Sequence, residues 1–372
     1  MDTETINPDE MDVTSSYDGH LHFREPGSQM DLILEHTIRR FCGATGMTNL
    51  LEPVTTTARG RWYKSEIERR VKLFNERNGT NWQFLPVITC YLTDRTDPKD
   101  LAQGILEGVF GAAKLMLTTE KKEGGTTNSH NAVVHIRNVY PAFDVLQTLG
   151  VPLLEHMEVP DENVDEFDRE VIFIDRYQHK IIREFPDLKW VAEHISTKEL
   201  CDLVRANRKN ARGTVTIQHA KANRNALFKG GFHPEAWCKP ILKREIHRQA
   251  VEDAMVGGEG LFGAGTDAAL HDDRFKFIPC GKPGAYTANS SIEQYIEMFD
   301  RRGMIATAEG RRIARQFLCE VIPQFYRITV PHGVIRLTRK EQEPLERIEF
   351  DSGSVTPFPY RSRPAWTAMR IE

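Results

Sequence analysis

Short apolar runs rich in Val, Ile and Leu alternate along the chain with longer amphipathic stretches. Such alternation predicts βα units feeding a parallel sheet. The predicted strands end near His22, Met47, Thr89, Leu115, His156, His194, Ile217 and Ala264. Eight strands over about 245 residues predict an α/β fold of the closed (β/α)8 TIM-type barrel rather than an open sheet. Between them, helical spacing is read over Val133–Leu149, where Val133, Val134, Ile136, Val139 and Tyr140 recur, and over Asn163–Phe185 and Ile241–Met255. Ser290–Phe325 reads as C-terminal helices. Gly333–Glu372 is polar and broken by Pro344, Pro357, Pro359 and Pro364, and is expected to wrap the barrel as short strands and turns. No repeat, low-complexity tract or linker interrupts the pattern. The expectation is one domain over 1–372, with a barrel core of about 17–325 and a tail of 326–372.

Composition narrows the class. The 372 residues carry a net charge of −4, with no basic excess of the kind that points to nucleic acid. No apolar run approaches the ~18 residues of a membrane span, and Met1–Ser16 lacks the layout of a secretion signal. Six scattered cysteines without a Cys-x-x-Cys fit reduced thiols in a cytoplasmic enzyme, and argue against a thiolate zinc site.

In a parallel barrel the reactive groups sit at the carboxyl ends of the strands. The first strand ends in His20-Leu21-His22, two imidazoles whose i, i+2 spacing on an extended segment gives them one face and lets them grip one divalent metal. Arg24 follows on the same face, ready for an anion. Asn49 follows the second strand and Lys114 lies on the fourth. His156 and His194 close the fifth and sixth, and Asp267 closes the eighth, with His271 four residues on. Each has an ordinary structural explanation alone: a hydrogen-bonded histidine, a lysine reaching for solvent, an aspartate capping a helix. Together on one rim they point to a metal site. Lys114 as an ammonium could not bind a cation. A neutral amine beside a metal could instead take up carbon dioxide as a carbamate, an anion with two oxygens able to bridge two metals.

These residues, with the blocks NLLEPVTTT, TCYLTD, EGVFGAAKL, TTNS, FDRE, EHI and CKPILK, make the chain resemble the dihydroorotases of the shorter, free-standing type, in the amidohydrolase superfamily. The resemblance runs from about Tyr17 to Trp366. It implies two zinc ions, one held by His20, His22 and Asp267 and the other by His156 and His194, bridged by carboxylated Lys114 and a hydroxide. Asp267 would also shuttle the proton. Arg24, Asn49 and His271 would bind the substrate α-carboxylate, and backbone at Lys239 and near Pro283 the ureide edge. Thr126 and Thr127 would sit on a closing lid. The implied reaction is reversible cyclisation of N-carbamoyl-L-aspartate to L-dihydroorotate in pyrimidine synthesis, by a cytoplasmic homodimer with no membrane or nucleic-acid partner.

The chain departs from the family pattern in places. The segment from Lys114 to Thr126 is long and charged, Ala268 and Leu270 replace a usual Ser and Pro, Lys239 replaces an apolar residue, and Met157 stands where glycine is common. None of these removes a ligand. Two readings compete: a hydantoinase-like cyclic amidohydrolase, which would lose the carboxylate clamp, and a silent homologue acting as a scaffold, which would lose ligands. A one-metal deaminase is weaker, since Lys114 would be superfluous there.

Overall fold

The computed structural model describes residues 6–120 and 131–372. Its first strand, β1 (Glu10–Thr14), is followed by eight strands of one parallel sheet. These are β2 (Tyr17–Leu21), β3 (Gly43–Gly46), β4 (Leu85–Tyr91), β5 (Phe110–Leu115), β6 (Leu153–Glu155), β7 (Trp190–Ala192), β8 (Ala211–Val215) and β9 (Phe262–Ala264). They pair in chain order with helices between them. The circle is nearly closed where Leu21 bridges Ala268 and the Asp267 amide donates to His20 O at 2.9 Å. Each strand end lies within about three residues of its predicted position, because strands buried on both faces leave an apolar signature.

Helix boundaries differ more. The helix expected from Val133 begins at Tyr140 (Tyr140–Leu149), after a 3-10 turn over Ile136–Val139. Val133 instead exchanges backbone hydrogen bonds with the strip after β5: its amide donates to Met116 O and its carbonyl accepts from Thr118. The stretch expected from Asn163 is helical only from Arg169, and that expected from Ile241 only from Glu245.

The barrel interior is packed in layers. Tyr17, Val87, Ala112, Leu154 and Val191 fill its lower part, and Val321, Ile322, Phe325 and Tyr326 of a C-terminal helix (Val321–Tyr326) plug that end. Alternation then raises Lys114, His156 and Glu193, each two residues beyond a packed position, towards the opposite mouth. On β2 the same rule would put Gly19 on Tyr17's face. Its pairing with β3 slips between Asp18 and Leu21, and this irregularity re-aims His20 into the barrel.

Outside the barrel, β1 joins β10 (Val334–Arg339) and β13 (Trp366–Arg370) in an antiparallel sheet, while β11 (Ile348–Phe350) and β12 (Gly353–Val355) form a hairpin. The tail therefore wraps as short strands. No helix among the described residues is long and apolar enough to cross a membrane.

Candidate active site

At the carboxyl mouth of the barrel, His20, His22 and Asp267 meet. Their ligand atoms all lie within 4.8 Å of one another. Asp267 Oδ1 is 2.9 Å from His22 Nε2 and 3.3 Å from His20 Nε2. Burial would push the Asp267 carboxyl up, but the two imidazoles outweigh it and hold it well below the usual range. Behind this group, His20 Nδ1 lies 2.6 Å from Glu193 Oε2. A carboxylate on one ring nitrogen fixes the tautomer and leaves the other free to ligate.

A second group faces the first. His156 Nδ1 is 3.0 Å from His194 Nε2, and His156 Nε2 is 2.9 Å from Glu158 Oε2. Burial keeps both imidazoles below their ordinary pKa. Two neutral rings whose nitrogens converge need something between them, or one must turn its proton to the other. His194 Nδ1 is buried without a hydrogen-bond partner among the described residues, and so is Lys114 Nζ. Burial pulls the Lys114 amine down from its usual range, against the attraction of Glu193, Asp267 and Glu155. Unpaired buried polar atoms are costly, and here they cluster around a space that a cation and a bridging anion would fill. The donor set, imidazoles and carboxylate without thiolate, suits zinc or its first-row neighbours.

Beside these groups, Arg24 Nη2 donates to His271 Nε2 at 3.1 Å. This hydrogen bond requires a lone pair on Nε2, so His271 is neutral there, in agreement with the drop that burial and the Arg24 charge impose. Arg24 Nε has no partner among the described residues, leaving a donor for an incoming acceptor. Tyr63, from the helix Thr57–Asn78, donates to Arg24 O at 2.7 Å and fixes the backbone of the clamp.

His20, His22, Arg24, Lys114, His156, His194, Asp267 and His271 line one cavity of about 540 Å³, together with Asn49, Lys239 and Pro283. Lys239 Nζ is ion-paired with Glu166. The pair Thr126 and Thr127 lies outside the described residues. Arg24, His194 and Asp267 each adopt a positive φ, of 67°, 41° and 48°. Non-glycine residues avoid that region unless the surroundings enforce it, and such strain concentrates at functional sites. At Gly284 (φ 144°) a Cβ would come within 3.0 Å of the His271 ring, so a glycine there lets the loop pass behind the clamp.

The residues that sequence reasoning left without roles are the anchors. Glu193 and Glu158 adjoin predicted ligands, at one and two residues' distance, and the signal was that proximity. Thr214 gave no signal: it accepts from the His194 amide and donates to Glu193 Oε2, joining the two groups through one carboxylate.

Fold and site together define an amidohydrolase built on a (β/α)8 barrel. No protein-family model matches the chain. It is similar to the dihydroorotase of Sphingopyxis alaskensis, 38% identical over 350 residues that span 94% of this chain and 96% of that one. It is also similar to that of Cupriavidus necator, 37% identical over 346 residues, 93% and 95% of the two chains. The chain belongs to the dihydroorotase family. The fold is shared with the solved dihydroorotase of Saccharomyces cerevisiae in complex with 5-fluoroorotic acid, at a TM-score of 0.84 and 21% identity over 97% of this chain and 99% of that one.

Proposed function

We propose that this chain is a metal-dependent dihydroorotase, interconverting N-carbamoyl-L-aspartate and L-dihydroorotate with loss or gain of water. The observation that carries this reading is the Arg24–His271 clamp beside the histidine and aspartate clusters in one cavity. A guanidinium fork in a buried pocket selects a carboxylate, which dihydroorotate carries and simple cyclic imides lack. Asn49, which lines the same cavity, would add a neutral donor.

His20, His22 and Asp267 would hold one zinc ion, and His156 and His194 a second. The lowered pKa of Lys114 favours the neutral amine, whose nitrogen can add to carbon dioxide with loss of one proton to give the bridging carbamate. When bound, the metals supply Lewis acidity towards the scissile carbonyl and make a nucleophile available from water near neutral pH. The chain's own groups do the rest. Arg24, Asn49 and His271 orient the substrate by its α-carboxylate. Backbone at Lys239 and Pro283 meets the ureide edge. Asp267, kept anionic, accepts a proton and returns it to the ring nitrogen as the amide bond breaks; in the synthetic direction it takes the proton from the attacking ureido nitrogen. The same reading includes a cytoplasmic homodimer, which sedimentation of the purified protein would check.

The test is an assay of purified protein with dihydroorotate and carbamoyl-aspartate, alongside metal analysis. Interconversion with about two metals per chain is expected; no turnover of either compound would overturn the reading. Arg24→Met separates it from hydantoinase-like chemistry: dihydroorotate turnover should fall about 100-fold more than that of an uncharged cyclic imide. Equal losses would favour the hydantoinase.

A further inference from the structure

Past His271 the chain enters a short helical turn (Asp273–Lys276) that ends in a buried lysine. Lys276 is only 5% exposed, and its Nζ donates to three backbone carbonyls: Trp237 and Gly284 at 2.7 Å each, and Lys282 at 3.1 Å. Its nearby carboxylates are engaged elsewhere. Asp273 accepts from Ser354 and Thr356 and pairs with Arg347, while Glu235 pairs with His233. An ammonium buried on carbonyls alone has given up its hydration without gaining a counter-charge. Burial accordingly pulls its pKa down to about 8, against the attraction of Cys238, Glu235 and Asp273 and with the repulsion of Arg24.

What that arrangement accomplishes follows from where the carbonyls lie. They come from two separate segments, and those segments present Lys239, Lys282, Pro283 and Gly284 to the active-site cavity. The segments also touch directly, through the Gly284 amide on Trp237 O at 2.8 Å and Trp237 Nε1 on Gly281 O at 3.0 Å. Trp237 O therefore accepts from both Gly284 and Lys276. A tetrahedral ammonium has three protons, and all three are spent here.

We infer that Lys276 is a positioning residue for substrate: by gathering the Trp237, Lys282 and Gly284 carbonyls, it holds the backbone at Lys239 and Pro283 in the register that recognises a ureide. This rests on the dihydroorotase reading. Methionine at this position keeps the unbranched stem out to Cε and removes every donor. Arginine keeps the charge, but its planar fork cannot converge on three carbonyls around one point.

Steady-state kinetics of the metal-loaded wild type, Lys276→Met and Lys276→Arg with dihydroorotate test the inference, with succinate as competitive inhibitor. Succinate keeps two carboxylates and lacks the ureide. KM for dihydroorotate should rise about tenfold or more in both variants, with kcat within about threefold, because the lost contacts serve ground and transition states alike. The succinate inhibition constant and the metal content should not move. Should Lys276→Met fail to fold, Lys276→Ala assayed with added n-propylammonium, which matches the four heavy atoms removed, replaces it, and KM should recover as the amine fills the space. An unchanged KM, or a succinate constant that weakens in parallel, overturns the inference while leaving the dihydroorotase reading intact. A wild type inactive on dihydroorotate instead overturns that reading.

Discussion

The two histidine groups at the barrel mouth are built differently. In the first, His20 and His22 share the Asp267 carboxylate, so the protein itself neutralises what the ligands would otherwise lack. In the second, His156 and His194 face each other without a carboxylate between them, and Lys114 Nζ and His194 Nδ1 have no partner among the described residues. The first group can persist as a hydrogen-bonded cluster when metal is removed. The second would, on the proposed reading, be completed by a cation and a bridging anion. Metal affinity and metal-dependent order should therefore be unequal between the halves.

The largest effect that would test this contrast is at Asp267, which on the proposed reading would serve the first group both as ligand and as proton carrier. Asp267→Asn should lower kcat by at least about 1,000-fold; near-normal turnover would remove it from that role. Next is Lys114→Ala, which should empty the second group, with activity down about 100-fold or more and partly restored by short carboxylic acids that stand in for the carbamate. A fully metallated, active Lys114→Ala protein would contradict the bridge. Smaller, and more discriminating, are the anchors. Glu158→Gln should weaken metal binding only at the second group, by about 10–100-fold. Glu193→Gln should weaken both, because Glu193 holds His20 directly and His194 through Thr214. Metal stoichiometry measured during stepwise chelation reads the difference, and identical profiles for the two variants would erase it.

The smallest effect concerns the metal-free protein. Burial holds His22 at a pKa of about 4, against the pull of Asp267, whereas the unfolded chain titrates near 6.5. Between those values the unfolded state binds the extra proton, so stability is full above about pH 6.5 and falls as the pH drops towards 4. The loss from this group is at most about 3 kcal/mol. Denaturant titrations of the metal-free protein across that window measure it, and a flat profile would show that His22 is already protonated in the fold.

Much of this was legible in the sequence for a physical reason. Strands buried on both faces must be apolar, so an interruption by His, Lys or Asp at a strand end is conspicuous, and every proposed ligand was such an interruption. What stayed hidden has equally physical causes. β1 lies in a polar terminal stretch and is a strand only because β10, more than 300 residues later, supplies its partner. The start of the helix at Tyr140 depends on Val133 being drawn into pairing beside β5. Lys276 sits among Asp and Arg in a segment that reads as solvent-exposed, and lysines are seldom buried. Its carbonyl partners carry no side-chain signature at all. The departures at Ala268 and Leu270 leave the clamp standing, since His271 still reaches Arg24.

The seam of the barrel runs through Leu21 and Ala268, and the Asp267 amide is tied there to His20 O. A nascent chain that has laid down only seven strands thus owns a pair of imidazoles and no acid to complete them. Tight capture of an ion at that pair has to wait for the last strand to dock, so a bound metal certifies a finished barrel.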